Sequence, residues 1–107
     1  MDYSKMSDHE INVLVGGIEG FANKIAAQNG LRDYCNKPSD AWPIITSNRI
    51  ALSPLFGGEW RASVDDECGF ISYTCSTENP LRAAMTVFLM AQESANVPAN
   101  STGSDIR

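Results

Sequence analysis

The run of residues 79–93, NPLRAAMTVFLMAQE, is the longest apolar-rich stretch of the chain and constrains the fold most. Asn79 is a residue type that caps helix starts, and Pro80 suits the first helical position, where no N–H is needed. Apolar residues recur at helical spacing on one face and cover much of the rest: Leu81, Ala83, Ala84, Met85, Val87, Phe88, Leu89, Met90 and Ala91. A helix that is apolar nearly all round is a buried helix, so we predict that this segment supports one small core.

Length, charge and cysteine content limit the class of protein. The 107 residues are enough for one hydrophobic core, which we expect over residues 1–93. The net charge of −5 disfavours partners that attract basic surfaces, such as nucleic acid and anionic membrane. We see no run of ~18 apolar residues and no apolar leader, so we expect no membrane association. Three cysteines without a C-x-x-C pair favour a reducing, cytoplasmic setting.

A second helix is predicted from about residue 8 to residue 28. Ser7 and Glu10 fit a capping box at its start, and Gly30 is a natural stop. A core-facing stripe follows at helical spacing: Ile11, Leu14, Val15, Ile18, Phe21, Ala22 and Ile25. Gly16-Gly17 interrupts the stripe at a cost of about 2 kcal/mol in helix propensity. We interpret these glycines as a place where another element packs closely, with a kink or a ligand-facing surface as the alternative.

The middle of the chain is predicted to form a loop followed by strands. Turn-forming residues predict an irregular segment over residues 30–42 that is anchored by Trp42. From Pro43 the pattern turns extended, and residues 50–56, 59–64 and 70–75 favour three strands of an antiparallel meander. Gly57-Gly58 predicts a tight hairpin turn, and Trp60, Ala62 and Val64 should share one face. Residues 94–107 have the composition of a disordered tail. The predicted fold is α+β, in the order α-β-β-β-α, with both helices packed on one face of the sheet.

The sequence shows no catalytic or metal-binding constellation. Metal sites need several His, Cys or carboxylate ligands, and the single histidine, His9, falls in an expected solvent-exposed first turn. A Ser–His or Cys–His site is disfavoured for the same reason. No phosphate-binding glycine motif is present, and an acidic stretch at residues 65–67 is typical of a solvated hairpin turn. We therefore expect no cofactor and no enzymatic activity.

Six residues remain as candidates for recognition. Tyr and Trp on polar loops are common binding anchors, which draws attention to the segment around residues 33–42. Arg61 lies between Trp60 and the acidic stretch. The candidate binding residues are Asp33, Tyr34, Asn36, Asp40, Trp42 and Arg61. The alternatives are a loop folded back on the core, an Arg61–carboxylate pair, and an anion-binding cluster of Arg49, Arg61 and Arg82.

Three stretches resemble the NinX-type proteins of lambdoid phages and prophages. They are MDYSKMSDHEIN at the start, DYCN followed by DAWPII in the middle, and NPLRAAM near residue 80, together with GGEW at residues 57–60. The resemblance spreads over most of residues 1–93. It implies a phage or prophage gene product in the bacterial cytoplasm, an accessory protein without an assigned biochemical activity, and it supplies no catalytic residues.

These observations together favour a non-enzymatic module that binds a host or phage protein. The alternative is a small-molecule or nucleotide binder that uses the loop of residues 33–45 with Arg61 or Arg82. Direct nucleic-acid binding is disfavoured because the basic helix start of double-stranded RNA readers is missing. A homodimer is also open, through a sheet face or edge or through close helix packing at Gly16-Gly17.

Overall fold

The computed structural model describes residues 2–65, 69 and 72–96. A short 3-10 turn, Tyr3–Lys5, leads into four helices: α1 (Asp8–Glu19), α2 (Phe21–Gln28), α3 (Pro38–Ser47) and α4 (Pro80–Asn96). Three strands lie between α3 and α4: β1 (Ala51–Pro54), β2 (Trp60–Asp65) and β3 (Ser72–Thr77). The class is α+β, as predicted, but the described residues form two more helices than predicted, because the first predicted helix is divided into α1 and α2 and because α3 lies where a loop was expected.

Helix α4 is the buried support that its composition indicates. Asn79 caps its start, because the Asn79 side-chain oxygen accepts hydrogen bonds from the N–H groups of Leu81 and Arg82. Seven consecutive residues, 83–89, are buried. The helix packs on all three strands on one side and meets α1 and α3 elsewhere.

The sheet is the predicted antiparallel meander, in the order β1-β2-β3. Ala62 pairs with Leu52 on β1 and with Cys75 on β3. Because successive side chains alternate between faces, Trp60, Ala62 and Val64 share the face that α4 covers. On the other face Arg61 lies between Ser53 and Ser76, in the neighbouring strands. The predicted hairpin turn is confirmed by positive φ angles at Gly57 and Gly58 and a bond from Leu55 N–H to the Glu59 carbonyl.

The prediction of one helix over residues 8–28 is wrong, since the chain folds into two helices that break at Gly20. The φ of Gly20 is 141°, a conformation that only glycine adopts without strain. The capping box is present, with Ser7 and Glu10 exchanging both hydrogen bonds. Gly16 explains why the chain turns back: a Cβ there would lie 2.8 Å from the Asn23 carbonyl oxygen. The element that packs against this glycine is therefore α2 itself.

Residues 38–47 are helical, which corrects the predicted loop of residues 30–42 and the extended segment that was expected from Pro43. Pro38 occupies the start of α3 and Asp40 lies in its first turn, both favourable there. Ala41, Ile44 and Ile45 are buried at helical spacing. The β-branched pair Ile44-Ile45 suggested a strand, but burial on one face of a helix decides the conformation.

Among the described helices α4 makes the extensive contacts with the sheet, so the prediction that two helices share one sheet face is met only in part. Helices α1 and α3 pack against α4, and α2 packs closely against α1. The sheet, α4 and the outer helices thus form successive layers around one core. Helix α4 continues to Asn96. Residues 97–107, 66–68 and 70–71 lie outside the described residues, and with them most of the predicted tail and the acidic turn.

Candidate functional site

A polar network joins α1, the segment between α2 and α3, and the start of α4. It centres on Cys35, whose N–H donates to the Asn12 side-chain oxygen at 3.1 Å. The Cys35 carbonyl accepts from the Asn79 side-chain amide at 2.7 Å. Asn12 also donates to the Asp33 carboxylate at 2.9 Å. Asn12 is 5% exposed, so these bonds satisfy a polar side chain that water scarcely reaches.

Asn36 extends this network to the surface. Its side-chain amide donates to Asp8 at 3.1 Å and to both Asp33 carboxylate oxygens at 3.2 Å. Its side-chain oxygen accepts from Asn79 at 3.2 Å. Asp33 and Asn36 therefore hold the segment against two helices, and their polar atoms are engaged within the protein.

Arg82 on α4 binds the segment that precedes α1. Its guanidinium donates to the carbonyls of Tyr3 and Met6, at 3.0 and 2.6 Å, and forms an ion pair with the Asp8 carboxylate. Partial burial opposes ionisation of Asp8, but the hydrogen bonds from Arg82 and Asn36 outweigh it and hold the Asp8 pKa below its usual value. The Arg82 side chain is mostly buried, at 18% exposed.

Tyr3 and Cys35 are the titratable groups that the fold perturbs most clearly. The Tyr3 hydroxyl donates to the Glu93 carboxylate at 2.8 Å. Burial, then the bond to Glu93 and its charge, raise the Tyr3 pKa to about 12. Burial, with the nearby Asp8 charge, raises the Cys35 pKa to about 12 as well. Since the thiolate is the reactive form, Cys35 is poorly suited to nucleophilic chemistry at neutral pH.

Two clefts lie beside this network. One of about 210 Å³ is lined by Asp8, His9, Asn12, Ala27, Gly30, Arg32, Asp33 and Asn36. It is smaller than the ~300 Å³ of most ligand pockets. Another of about 380 Å³ is lined by Tyr3, Ser4, Glu59, Cys75, Ser76, Thr77, Glu78, Arg82 and Thr86. The Arg82 guanidinium beside this cleft already binds Asp8 and two carbonyls. The cleft therefore offers a ligand carboxylate and hydroxyl groups, and not an unpaired guanidinium.

Three of the residues predicted to bind a partner, Tyr34, Asp33 and Asp40, instead make contacts within the protein. Tyr34 is buried, at 3% exposed, so this aromatic belongs to the core and not to a recognition surface. Asp40 accepts from the Asp33 N–H at 2.9 Å and lies 3.9 Å from Arg32. Asp33, Asn36 and Asp40 thus shape the segment that leads into α3.

Trp42, Arg61 and Asn36 are the predicted residues with exposed side chains, but the Asn36 side chain is already hydrogen-bonded to Asp8, Asp33 and Asn79. Trp42 lies on α3 and is 58% exposed. Arg61 is exposed on the outer face of the sheet, away from α4. Arg61 and Arg82 therefore lie on opposite sides of the sheet, and an anion-binding cluster that contains both is not formed.

Sequence reasoning missed the largest concentration of exposed apolar side chains. Ile18, Phe21 and Ile25, assigned to a core-facing stripe, are 41%, 77% and 39% exposed, and Leu31 is 67% exposed. The predicted stripe assumes one continuous helix, whereas the chain reverses direction at Gly20 and α2 packs against α1. The residues of α2 that turn inward are Asn23, Ala26 and Ala27, small or polar residues that a search for large hydrophobic side chains does not find.

Within the described ranges, no group of three or more His, Cys, Asp or Glu residues could hold a metal ion. No described helix has the length and apolar character that crossing a membrane requires.

Comparison with known families gives one result. The family model described as Bacteriophage P22, NinX matches residues 2–92. No curated protein and no solved structure matches the chain.

Proposed function

The chain belongs to the Bacteriophage P22 NinX family, and we propose that this phage accessory protein acts by binding a host or phage protein in the bacterial cytoplasm, without catalysing a reaction. The match covers nearly the whole described domain, and family membership supports the phage origin.

The exposed side chain of Trp42 carries this proposal. Trp is the residue type most enriched at the energetic centres of protein interfaces, because it buries a large area with few rotatable bonds. Here it is 58% exposed on a helix that is fixed in the core by Ala41, Ile44 and Ile45. A partner would therefore meet an anchor that is already held in place, which lowers the entropic cost of binding.

The polar network supports binding rather than catalysis. Its buried amides and carboxylates are engaged with each other and with backbone groups, and its thiol is held in the protonated form. An active site instead directs its titratable groups toward a space that a substrate can enter. The smaller cleft beside Asp33 and Asn36 is bordered by groups that already have partners.

Affinity capture with matched variants tests the proposal. The wild-type chain, Trp42→Ala and Phe56→Ala would be immobilised and exposed to lysate of phage-infected host cells, and a protein retained by the wild type would be purified and its dissociation constant measured. Phe56 is a fully exposed aromatic on the β1–β2 turn, so its replacement controls for general surface hydrophobicity. We expect Trp42→Ala to weaken binding by about thirtyfold, the effect of losing a hot-spot residue, and Phe56→Ala to leave it unchanged.

Circular dichroism and thermal unfolding would establish that Trp42→Ala keeps the fold, since the side chain lies largely in water. Equal binding by the wild type and Trp42→Ala would contradict Trp42 as the anchor. A wild-type chain that retains no protein at all would contradict the protein-binding function.

A further inference from the structure

Helix α2 carries its apolar side chains on the outside. Ala27 is its one buried residue, and the helix packs closely only against α1 among the described elements. Phe21 and Ile25, four residues apart on one helical face, are 77% and 39% exposed. An amphipathic surface helix ordinarily turns such residues toward the core. The arrangement is the reverse here, so this face is left uncovered by the described residues.

The exposed large apolar residues of the described chain concentrate in and around α2. Of the six large hydrophobic residues that are exposed in the described part of the chain, four fall in residues 18–31: Ile18, Phe21, Ile25 and Leu31. Scattered surface hydrophobics are normal, but a concentration on one supersecondary unit marks an interaction site. We call these four residues the α2 face.

The α2 face is held outward by backbone contacts. A Cβ at Gly16 would lie 2.8 Å from the Asn23 carbonyl oxygen and 3.1 Å from the Lys24 Cα. Such close approach fixes against α1 the side of α2 that carries Asn23, Ala26 and Ala27, its least exposed residues. Arg32 closes the same unit, since its side chain donates to the Asn23 side-chain oxygen at 3.3 Å. The outward apolar side follows from this packing and does not depend on a rearrangement.

The charge pattern favours a second copy of this chain as the occupant. The chain carries a net charge of −5, so two copies repel each other wherever acidic surfaces meet. Residues 20–32 contain Lys24 and Arg32 and no carboxylate, so this segment adds no repulsion between carboxylates when two copies meet there. Glu19 immediately precedes this segment. Glu19 and Lys24 are both exposed, so each copy presents one charge of each sign that a second copy can pair.

The available area is of the right size for a modest dimer. A biological interface buries about 1,000 Å² in total, or about 500 Å² on each copy. Phe21 alone, at 77% exposed, offers roughly 150 Å². Three further aliphatic side chains and the stems of Lys24 and Gln28 lie within the same unit, and all of these residues are exposed.

We infer that the α2 face is a homodimer interface. Two copies pack across a two-fold axis, so that Phe21 of each copy contacts Ile25 of the other and Glu19 of each copy lies near Lys24 of the other. This surface is distinct from the predicted interfaces at the sheet edge and at Gly16-Gly17, because Gly16 is already covered by α2. The inference does not rest on Trp42 and stands apart from the proposed function.

Sedimentation velocity over a range of concentrations tests the dimer with the full chain. We expect the wild type to approach twice its mass of 11.6 kDa as the concentration rises. The variant Phe21→Gln/Ile25→Gln should weaken association at least about tenfold, because both apolar contacts occur twice in the interface. Phe56→Gln, which changes an exposed aromatic elsewhere, should dimerise like the wild type. A wild-type chain that stays monomeric at all concentrations, or an unchanged dimer in the double variant, would overturn the inference.

A charge exchange tests the two-fold arrangement itself. Glu19→Lys places like charges together and should weaken the dimer several-fold at low salt, whereas Glu19→Lys/Lys24→Glu should restore it. A partner of another kind would not respond to the exchange in this way. No loss with the single variant, or loss without recovery in the double variant, would exclude the proposed pairing. A monomer that still binds its Trp42-dependent partner would overturn the dimer and leave the proposed function intact.

Discussion

Cys35 and Tyr3 make the stability of this protein sensitive to alkali. Both side chains are buried, at 0% and 7% exposed, and both pKa values rise to about 12, from 9.0 for the thiol and 10.0 for the phenol. A group whose pKa is raised on folding keeps its proton in the folded state while the unfolded chain has already lost it. Its stabilising contribution is complete below its ordinary pKa and is lost as pH rises toward the folded value.

We therefore predict that the free energy of unfolding is level up to pH about 9 and falls by on the order of 2–4 kcal/mol by pH about 11. Urea unfolding at a series of pH values measures it. Tyr3→Phe keeps the ring in place and removes the titrating hydroxyl, so its profile should fall less between pH about 10 and 11. Equal unfolding free energies at pH about 8 and 11 would contradict the prediction.

At the scale of residues, the sequence predicts contacts that are local. The Ser7–Glu10 capping box and the Asn79 cap follow from residues within three positions of one another, and both are present. The burial of Tyr34 could not be predicted, because a tyrosine on a polar segment is equally typical of an exposed anchor. The partners of Arg82 lie more than seventy positions away in the chain, beyond any local rule.

At the scale of elements, Gly16 determines how α1 and α2 pack, and we predict opposite effects at the two neighbouring glycines. Gly16→Ala should destabilise the protein by about 1–3 kcal/mol, because the new Cβ would meet the Asn23 backbone at 2.8 Å and force the helices apart. Gly17→Ala should be neutral or stabilise by up to about 1 kcal/mol, because its nearest contact is the end of the Lys24 side chain at 3.8 Å and alanine favours the helix.

Chemical denaturation of the two variants beside the wild type measures this difference. Both variants replace glycine by alanine in the same helix and gain the same helix propensity. They therefore differ in how closely the new Cβ approaches α2. Equal stability of the two variants would mean that α2 does not press on Gly16 as described.

The same two helices show why elements were mispredicted. A hydrophobic stripe over residues 11–25 indicates a single helix only if the chain continues in one direction. The chain reverses at Gly20, and the spacing of the apolar residues does not show it. In α3, the spacing of Ala41, Ile44 and Ile45 fits a helix as well as the β-branched run fits a strand. Strands β2 and β3 were easier to predict, because turn-forming glycines and the alternation of apolar and polar side chains indicate the same strands.

At the scale of the whole molecule, distant parts of the sequence meet around α4. The three stretches that carry the family resemblance contribute Asp8 and Asn12, Cys35 and Asn36, and Asn79 and Arg82 to one connected network. Their residue types are explained by the packing of the N-terminal segment and the segment before α3 against α4. The surfaces that we propose for binding, Trp42 and the α2 face, lie outside this network.

The final prediction concerns the link between the two ends of the domain. Arg82→Ala removes an ion pair and two hydrogen bonds to backbone carbonyls, and leaves the Asp8 carboxylate and the carbonyls of Tyr3 and Met6 with poorer partners. Charge-assisted bonds of this kind contribute about 1.5–3 kcal/mol, so we expect a loss of about 2–4 kcal/mol for the set. Arg82→Lys should recover only part, because a single ammonium group cannot reach all three acceptors as the planar guanidinium does.

Arg61→Ala is the matched control for this prediction. Arg61 is exposed on the outer sheet face, where a substitution typically changes stability by less than about 0.5 kcal/mol. Hydrogen exchange would distinguish a local effect from a global one: the amides of residues 3–6 should lose protection in Arg82→Ala before those of β2 do, since the N-terminal segment is held by the contact that is lost. Equal stability of Arg82→Ala and Arg61→Ala would show that the burial of Tyr3 and its bond to Glu93 are enough to retain the N-terminal segment, and that Arg82 does not couple the ends of the chain.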